Sequence, residues 1–157
     1  MRYILLCHRF MDFHLDTLLN LPDTTVESCL HQEQQVVMKL RFLLEKGDCP
    51  DCQQSSEDLH QNRPILVRDL PVFGQPVQLQ VPRRQFYCRP CQRYFTEHLT
   101  FIDWERRYTQ RYEDYIYQRV QAASMEQVSR EEDLSWDQVQ GIFKHKFTQQ
   151  KKQTGER

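Results

Sequence analysis

Two Cys-x-x-Cys knuckles, Cys49-Pro50-Asp51-Cys52 and Cys88-Arg89-Pro90-Cys91, constrain this chain more than any other feature. Each places two thiolates on one side of a tight turn, and two such turns together make the four-sulfur tetrahedron that suits a structural zinc ion. One pair would be weak evidence; two in 157 residues predict a single zinc held by Cys49, Cys52, Cys88 and Cys91. Disulfides are the alternative reading. The apolar core of Met1 to Phe10 is too short for a secretory signal, and the thiols of a chain that stays in the cytoplasm remain reduced. A thioredoxin-like pair would open a helix after a buried strand, and neither knuckle sits there. Cys7 and Cys29 stand outside the knuckles and read as ordinary thiols.

Between the knuckles, Ile65 to Leu70, Val77 to Val81 and Phe86 to Cys88 are strand-like, with alternation through Val77, Leu79 and Val81. Strands this short bury little apolar surface by themselves, so a metal clip is expected to supply the missing stability of a zinc ribbon. Arg63, Arg68, Arg83, Arg84, Arg89 and Arg93 face a single acid here, Asp69, and lysine is absent. Such an arginine-rich stretch is either a solvated sheet face or a phosphate-contacting surface, and the planar guanidinium favours phosphate.

A family resemblance rests on an ordered run of short motifs: Arg68-Asp69-Leu70-Pro71, Gly74-Gln75-Pro76-Val77-Gln78-Leu79, Arg83-Arg84-Gln85-Phe86-Tyr87-Cys88-Arg89-Pro90-Cys91 and Phe95-Thr96-Glu97. Leu18-Leu19-Asn20-Leu21-Pro22 and Val26-Glu27 extend it towards the start. Together they resemble the amino-terminal zinc ribbon of bacterial insertion-sequence transposases of the ISL-three type, over roughly residues 15 to 147. Gln53 and Gln92 depart from the pattern, standing where the family usually has a knuckle glycine.

The charge balance, 21 basic against 22 acidic residues, means that any nucleic-acid binding must come from local patches. Acids prevail through residue 59, the ribbon is basic, and Lys144, Lys146, Lys151 and Lys152 cluster late. No apolar run approaches the ~20 residues that span a bilayer, and a cytoplasmic chain is expected. The expected organisation is an extension over 1–10 with Met11 as an alternative start, a helix and β-hairpin cap over 11–47, and a zinc ribbon over 48–97. A connector over 98–107, a helix-turn-helix over 108–147 and a polar tail over 148–157 follow. The fold class is thus α+β, a small capped ribbon followed by an all-α module.

In the cap, Asp12 to Leu21 reads as a helix stopped by Pro22, and Val26 to Leu30 and Val36 to Leu44 as strands flanking the loop His31 to Gln35. The hairpin is expected to cover one face of the ribbon. His8, His14, His31, His60 and His98 lack metal-ligand spacing and read as surface or packing residues. In the connector, Phe101, Ile102 and Trp104 read as packing between modules, with a base-stacking platform as the alternative.

Past Arg107 the apolar period becomes helical through Tyr108, Tyr112, Tyr115, Ile116, Val120 and Ala123. Ser124-Met125-Glu126-Gln127 and Ser135-Trp136-Asp137-Gln138 are capping boxes eleven residues apart, the footprint of a helix-turn-helix. Asp133 falls where a left-handed turn is needed, and Val128, Leu134, Val139 and Ile142 are its expected core. A packing-only bundle is the alternative, since Glu132 and Ser129 replace commoner apolar and alanine residues. In the second helix Trp136, Val139, Ile142, Phe143 and Phe147 form the predicted inward stripe. Asp137, Gln138, Gln140, Gly141, Lys144 and His145 face out beside Ser135, with amides suited to adenine edges, glycine to close approach and lysine to phosphate.

With Arg68, Arg83, Arg84, Arg89 and Arg93, these outward residues are the candidate DNA contacts. The resemblance implies that ribbon and helix-turn-helix engage terminal inverted repeats, with a second copy or a full-length transposase as partner. It also implies a catalytic domain holding metal-bound acids, to which no residue here is matched, so a binding chain rather than an enzyme is expected. A degraded or split element, a stand-alone regulator of transposition or transcription and a protein-binding ribbon are the competing readings.

Overall fold

The computed structural model describes residues 15–155. The extension, the alternative start at Met11, Cys7, His8 and His14 lie outside the described residues, as does the first part of the expected helix. What is described of that helix, α1 at residues 15–19, ends before Pro22 as anticipated.

Two β-hairpins build the largest unit. Strands β1 (Thr24–Gln32) and β2 (Gln35–Phe42) pair antiparallel around a turn in which Glu33 is left-handed (φ 50°). Strands β6 (Ile65–Val72) and β7 (Gln75–Val81) do the same. The hairpins then join through parallel pairing of β2 with β7, Val36 opposite Val77 and Met38 opposite Leu79, giving a four-stranded sheet of order β1-β2-β7-β6. Alternation along each strand sends Val26, Met38, Leu40, Phe42, Val67, Val77, Leu79 and Val81 to one face, where Leu19, Phe101 and Ile102 complete the core.

A smaller layer carries the knuckles. Strands β3 (Gly47–Asp48) and β4 (Ser55–Ser56) bracket the first; β5 (Leu59–Asn62), β8 (Arg84–Cys88) and β9 (Arg93–Thr96) form a three-stranded antiparallel sheet around the second. Its own core is Phe86, Phe95, Cys49 and Cys88. Gly47 is required there, because a Cβ would lie 2.7 Å from the Phe86 ring.

Helices α2 (Gln110–Ala122), α3 (Met125–Glu132) and α4 (Trp136–Thr154) follow, packed around Tyr112, Ile116, Val128, Leu134, Val139 and Ile142. Residues 148–154, read from sequence as a polar tail, continue α4.

This architecture overturns the expected fold class of a small capped ribbon followed by an all-α module. Nine strands dominate the described residues, and the hairpin is no cap, since its β2 shares a ladder with β7 of the supposed ribbon. Nor do the helices stand apart. The Arg68 amide donates to the Arg107 carbonyl (2.8 Å), the Thr109 amide donates back to Arg68 (3.0 Å), and Leu70 packs on the helical core. The reason is backbone hydrogen bonding: the outer edges of β2 and β7 need partners, and each supplies the other's. Alternation identifies strands without saying which edges meet. It follows that β6 and β7 have a core of their own, and a metal clip serves only the smaller sheet.

Candidate metal centre and nucleic-acid interface

Each knuckle is a tight turn closed by its own backbone. The Gln53 amide donates to the Cys49 carbonyl (2.8 Å) and the Gln92 amide to Arg89 (3.2 Å). Gln53 (φ 59°) and Gln92 (φ 53°) both occupy the left-handed region, which explains the glycine seen there in the resembling family. A residue with a Cβ sits there at a cost of about 1–2 kcal/mol.

The turns bring the four cysteine sulfurs within 4.8 Å of one another, with Cys49 Sγ 3.9 Å from Cys91 Sγ and Cys52 Sγ 3.5 Å from Cys88 Sγ. A tetrahedral zinc with Zn–S bonds of about 2.3 Å requires sulfur separations of about 3.8 Å, so the cluster fits the ion without rearrangement. Four thiols this close cannot all ionise alone. The Cys52 amide, with that of Asp51, lowers the Cys49 thiol to about 7. Hydrogen bonds with Cys52 and Cys88, then burial and the Cys49 charge, push Cys91 up to about 12. Cys29 is exposed on β1, away from this group.

The arginines divide into inward and outward sets. Arg84 is structural in placement: it forks onto Glu97 (2.7 and 2.6 Å), donates to the Leu44 carbonyl (2.7 Å) and lies over the Phe42 and Phe86 rings. Arg68 donates to the Glu132 carbonyl (3.0 Å) and covers Tyr112. Arg83 stacks on Trp104, which is exposed rather than packed between modules. Arg89 and Arg93 are exposed at the second knuckle and pair with Asp58 and Asp51. Asp69, the supposed lone acid among them, is buried against Thr109 and Arg111 instead.

In the helices, Thr109, Ser124 and Ser135 cap α2, α3 and α4, the last with a complete capping box in which Gln138 Oε1 accepts from the Ser135 amide (2.8 Å). Asp133 adopts φ 52°, ψ 48°, the left-handed turn its position demands. Glu132, anomalous by sequence, is buried because Tyr115 Oη (2.7 Å) and Arg119 (3.0 Å) satisfy its carboxylate. Burial raises the Tyr115 hydroxyl, and its bond to Glu132 adds to this.

On α4, Val139 and Ile142 are fully buried while Asp137 and Lys144 are exposed and Gln140 and Gly141 half-buried. Lys144 Nζ donates to Gln140 Oε1 (2.9 Å). Gln138 is exposed with its carbonyl spent in the cap. The predicted inward stripe is corrected at both ends: Trp136 is 43% exposed and Phe147 42%, because the core closes on Leu134, Val139 and Ile142 without them.

His145 turns to the connector instead of to solvent. Its Nε2 lies 2.7 Å from Asp103 Oδ2 and 3.6 Å from Glu113 Oε2, Gln149 donates to Asp103 (2.6 Å), and Arg106 holds Glu113 Oε1 (2.7 Å). Burial raises the Glu113 carboxyl against the pull of Arg106. Burial also acts on Asp103, but hydrogen bonds from His145, Gln110 and Gln149 prevail and hold it low. Two carboxylates, a guanidinium and an imidazole already satisfy one another here, so a divalent ion would displace donors and meet Arg106. No local pattern announces this clasp, whose members come from three separate segments.

Comparison with known proteins accords with these two sites. Residues 45–91 match the family described as the zinc-finger of transposase IS204/IS1001/IS1096/IS1165, and residues 97–145 the helix-turn-helix domain of transposase family ISL3. In both modules the chain resembles transposases of the ISL3 family. A transposase for insertion sequence element IS1001 from Bordetella parapertussis is 31% identical over 96 residues, which is 61% of this chain and 24% of that relative. No solved structure matches. Zinc-finger and helix-turn-helix domains of ISL3-type transposases indicate DNA binding, and the four clustered cysteines a metal site. No helix among the described residues is long and apolar enough to cross a membrane.

Proposed function

We propose that this chain recognises the terminal inverted repeats of an insertion sequence as duplex DNA, with α4 as the reading helix and one structural zinc on Cys49, Cys52, Cys88 and Cys91. The observation that carries the reading is the α3–turn–α4 unit. Val139 and Ile142 seat the second helix while Asp137, Gln140, Gly141 and Lys144 are left on its outer side. Arg83, Arg89 and Arg93 are the ribbon arginines that supply phosphate contacts; Arg68 and Arg84 support the fold behind them. Four thiolates fill a tetrahedral shell and leave no position for water, so the zinc holds structure. The chain then acts by occupying ends, alone or with a second copy or a full-length transposase.

Gel shifts on duplexes carrying the repeats that flank the coding sequence test this. Lys144→Ala is expected to weaken binding to every duplex and reduce the salt slope by about one, whereas Gln140→Ala relaxes sequence preference. Variants indistinguishable from wild type on all probes would defeat the assignment of α4.

Gly141 adds a prediction of opposite signs. A Cβ there would meet nothing within 4 Å, so packing does not demand glycine in the middle of α4. Gly141→Ala should therefore raise stability by about 0.5–1 kcal/mol while weakening DNA binding, as the helix can no longer approach as closely. Thermal unfolding and gel shifts on one preparation check both; unchanged affinity would remove Gly141 from the interface.

A further inference from the structure

We infer that Trp136 contacts a base in the major groove, laying its indole against the C5-methyl group of a thymine, an inference that rests on the DNA-reading role of α4. Trp136 is the first residue of α4, directly after the Ser135 cap. A reading helix enters the groove with its amino-terminal turn nearest the bases, so this position is among the closest to them. Apolar periodicity assigns the indole to the core, yet the core closes without it and leaves it 43% exposed. The aromatic series farther along the helix is occupied differently, Phe143 stacking on Tyr117 (5.2 Å) and Phe147 on Phe143 (6.0 Å).

Trp136, Gln140 and Lys144 recur every fourth residue and therefore share one line along α4. That line runs from an apolar ring through an amide to an ammonium, beside the open notch at Gly141. In the major groove the one apolar feature of a base edge is the thymine methyl, the match for an exposed indole. Amide and ammonium then fall on base edge and phosphate farther along the same line. Tryptophan at this place costs solubility and adds nothing to the fold, which contact with a partner would explain.

The experiment uses the full zinc-loaded chain and duplexes that wild type enriches from a randomised library. Each thymine is replaced in turn by deoxyuridine, which removes only the methyl. Wild type is expected to lose about fourfold in affinity at one thymine per site, the worth of one buried methyl group. Trp136→Ala should bind the thymine duplex more weakly and be blind to that replacement, with zinc content and helicity unchanged; Trp136→Phe should keep part of the sensitivity. Enriched duplexes at which no methyl matters, or a Trp136→Ala chain as sensitive as wild type, would overturn the inference alone. Trp136→Ala that changes self-association but not DNA affinity would reassign the indole to a protein contact and likewise overturn it. A chain that enriches no duplex would overturn the DNA reading, and this with it.

Discussion

Cys88→Ser is expected to abolish stoichiometric zinc binding and unfold the three-stranded sheet, while the four-stranded sheet keeps its structure. Cys88 is buried within the small core of Phe86, Phe95 and Cys49, and that core is too small to fold without the metal. Structural zinc contributes about 10–16 kcal/mol to folding of such units, so loss of one ligand removes most of what holds β8 and β9. By contrast β2 and β7 meet over Met38, Leu40, Val77, Leu79 and Val81, which needs no ion. Elemental analysis with hydrogen exchange reads both halves: zinc lost, amides of Phe86 and Phe95 deprotected, those of Leu40 and Leu79 protected. Cys29→Ser should change neither. Purified wild type without zinc, or equal loss from the two variants, would refute the assignment. Acid should mimic the mutation. The metal-free cluster, with Cys91 at about 12, holds more protons than the thiolate-bound site, so stability due to metal is present at neutral pH and lost as pH falls.

Asp69→Ala should be the most damaging change away from the cysteines. Asp69 is 1% exposed; it accepts from Thr109 Oγ1 (2.6 Å) and Arg111 Nε (2.8 Å) and pairs with the second arm of the Arg111 guanidinium. Thr109 is at the same time the cap of α2, and Arg111 also reaches the Leu19 carbonyl (2.7 Å), so one carboxylate ties the sheet, α1 and the helices together. Removing one partner of a buried pair costs about 3–5 kcal/mol, because the other charge is left without compensation. At about 2–4 °C per kcal/mol in a chain of this size, the melting temperature should fall by roughly 6–20 °C. Zinc content should be unaffected, and Asp69→Asn should lie between the two. A fall below about 1 kcal/mol would mean that the helices hold their structure independently of the sheet.

The sequence by itself determined the local features of this protein. The two knuckles, the alternation of Val77, Leu79 and Val81, the serine caps and the left-handed position of Asp133 depend on residues near one another in the chain, and their chemistry was legible without coordinates. The metal-ligand spacing belongs to the same class. Tertiary structure alone decided how these pieces pair. Nothing in β2 or β7 specifies a parallel partner, since alternation marks a buried face but not the neighbouring edge. Asp69 was visible as an acid among arginines, but only the fold shows it turned away from them to Arg111, forty-two residues on. Arg68 and Arg84 were drawn inward by Glu132 and Glu97, and His145 by Asp103, because buried polar groups are satisfied by whatever partner the packing delivers. Trp136 went the other way: a helical period locates a stripe, but the size of the available core decides which of its members is left in water.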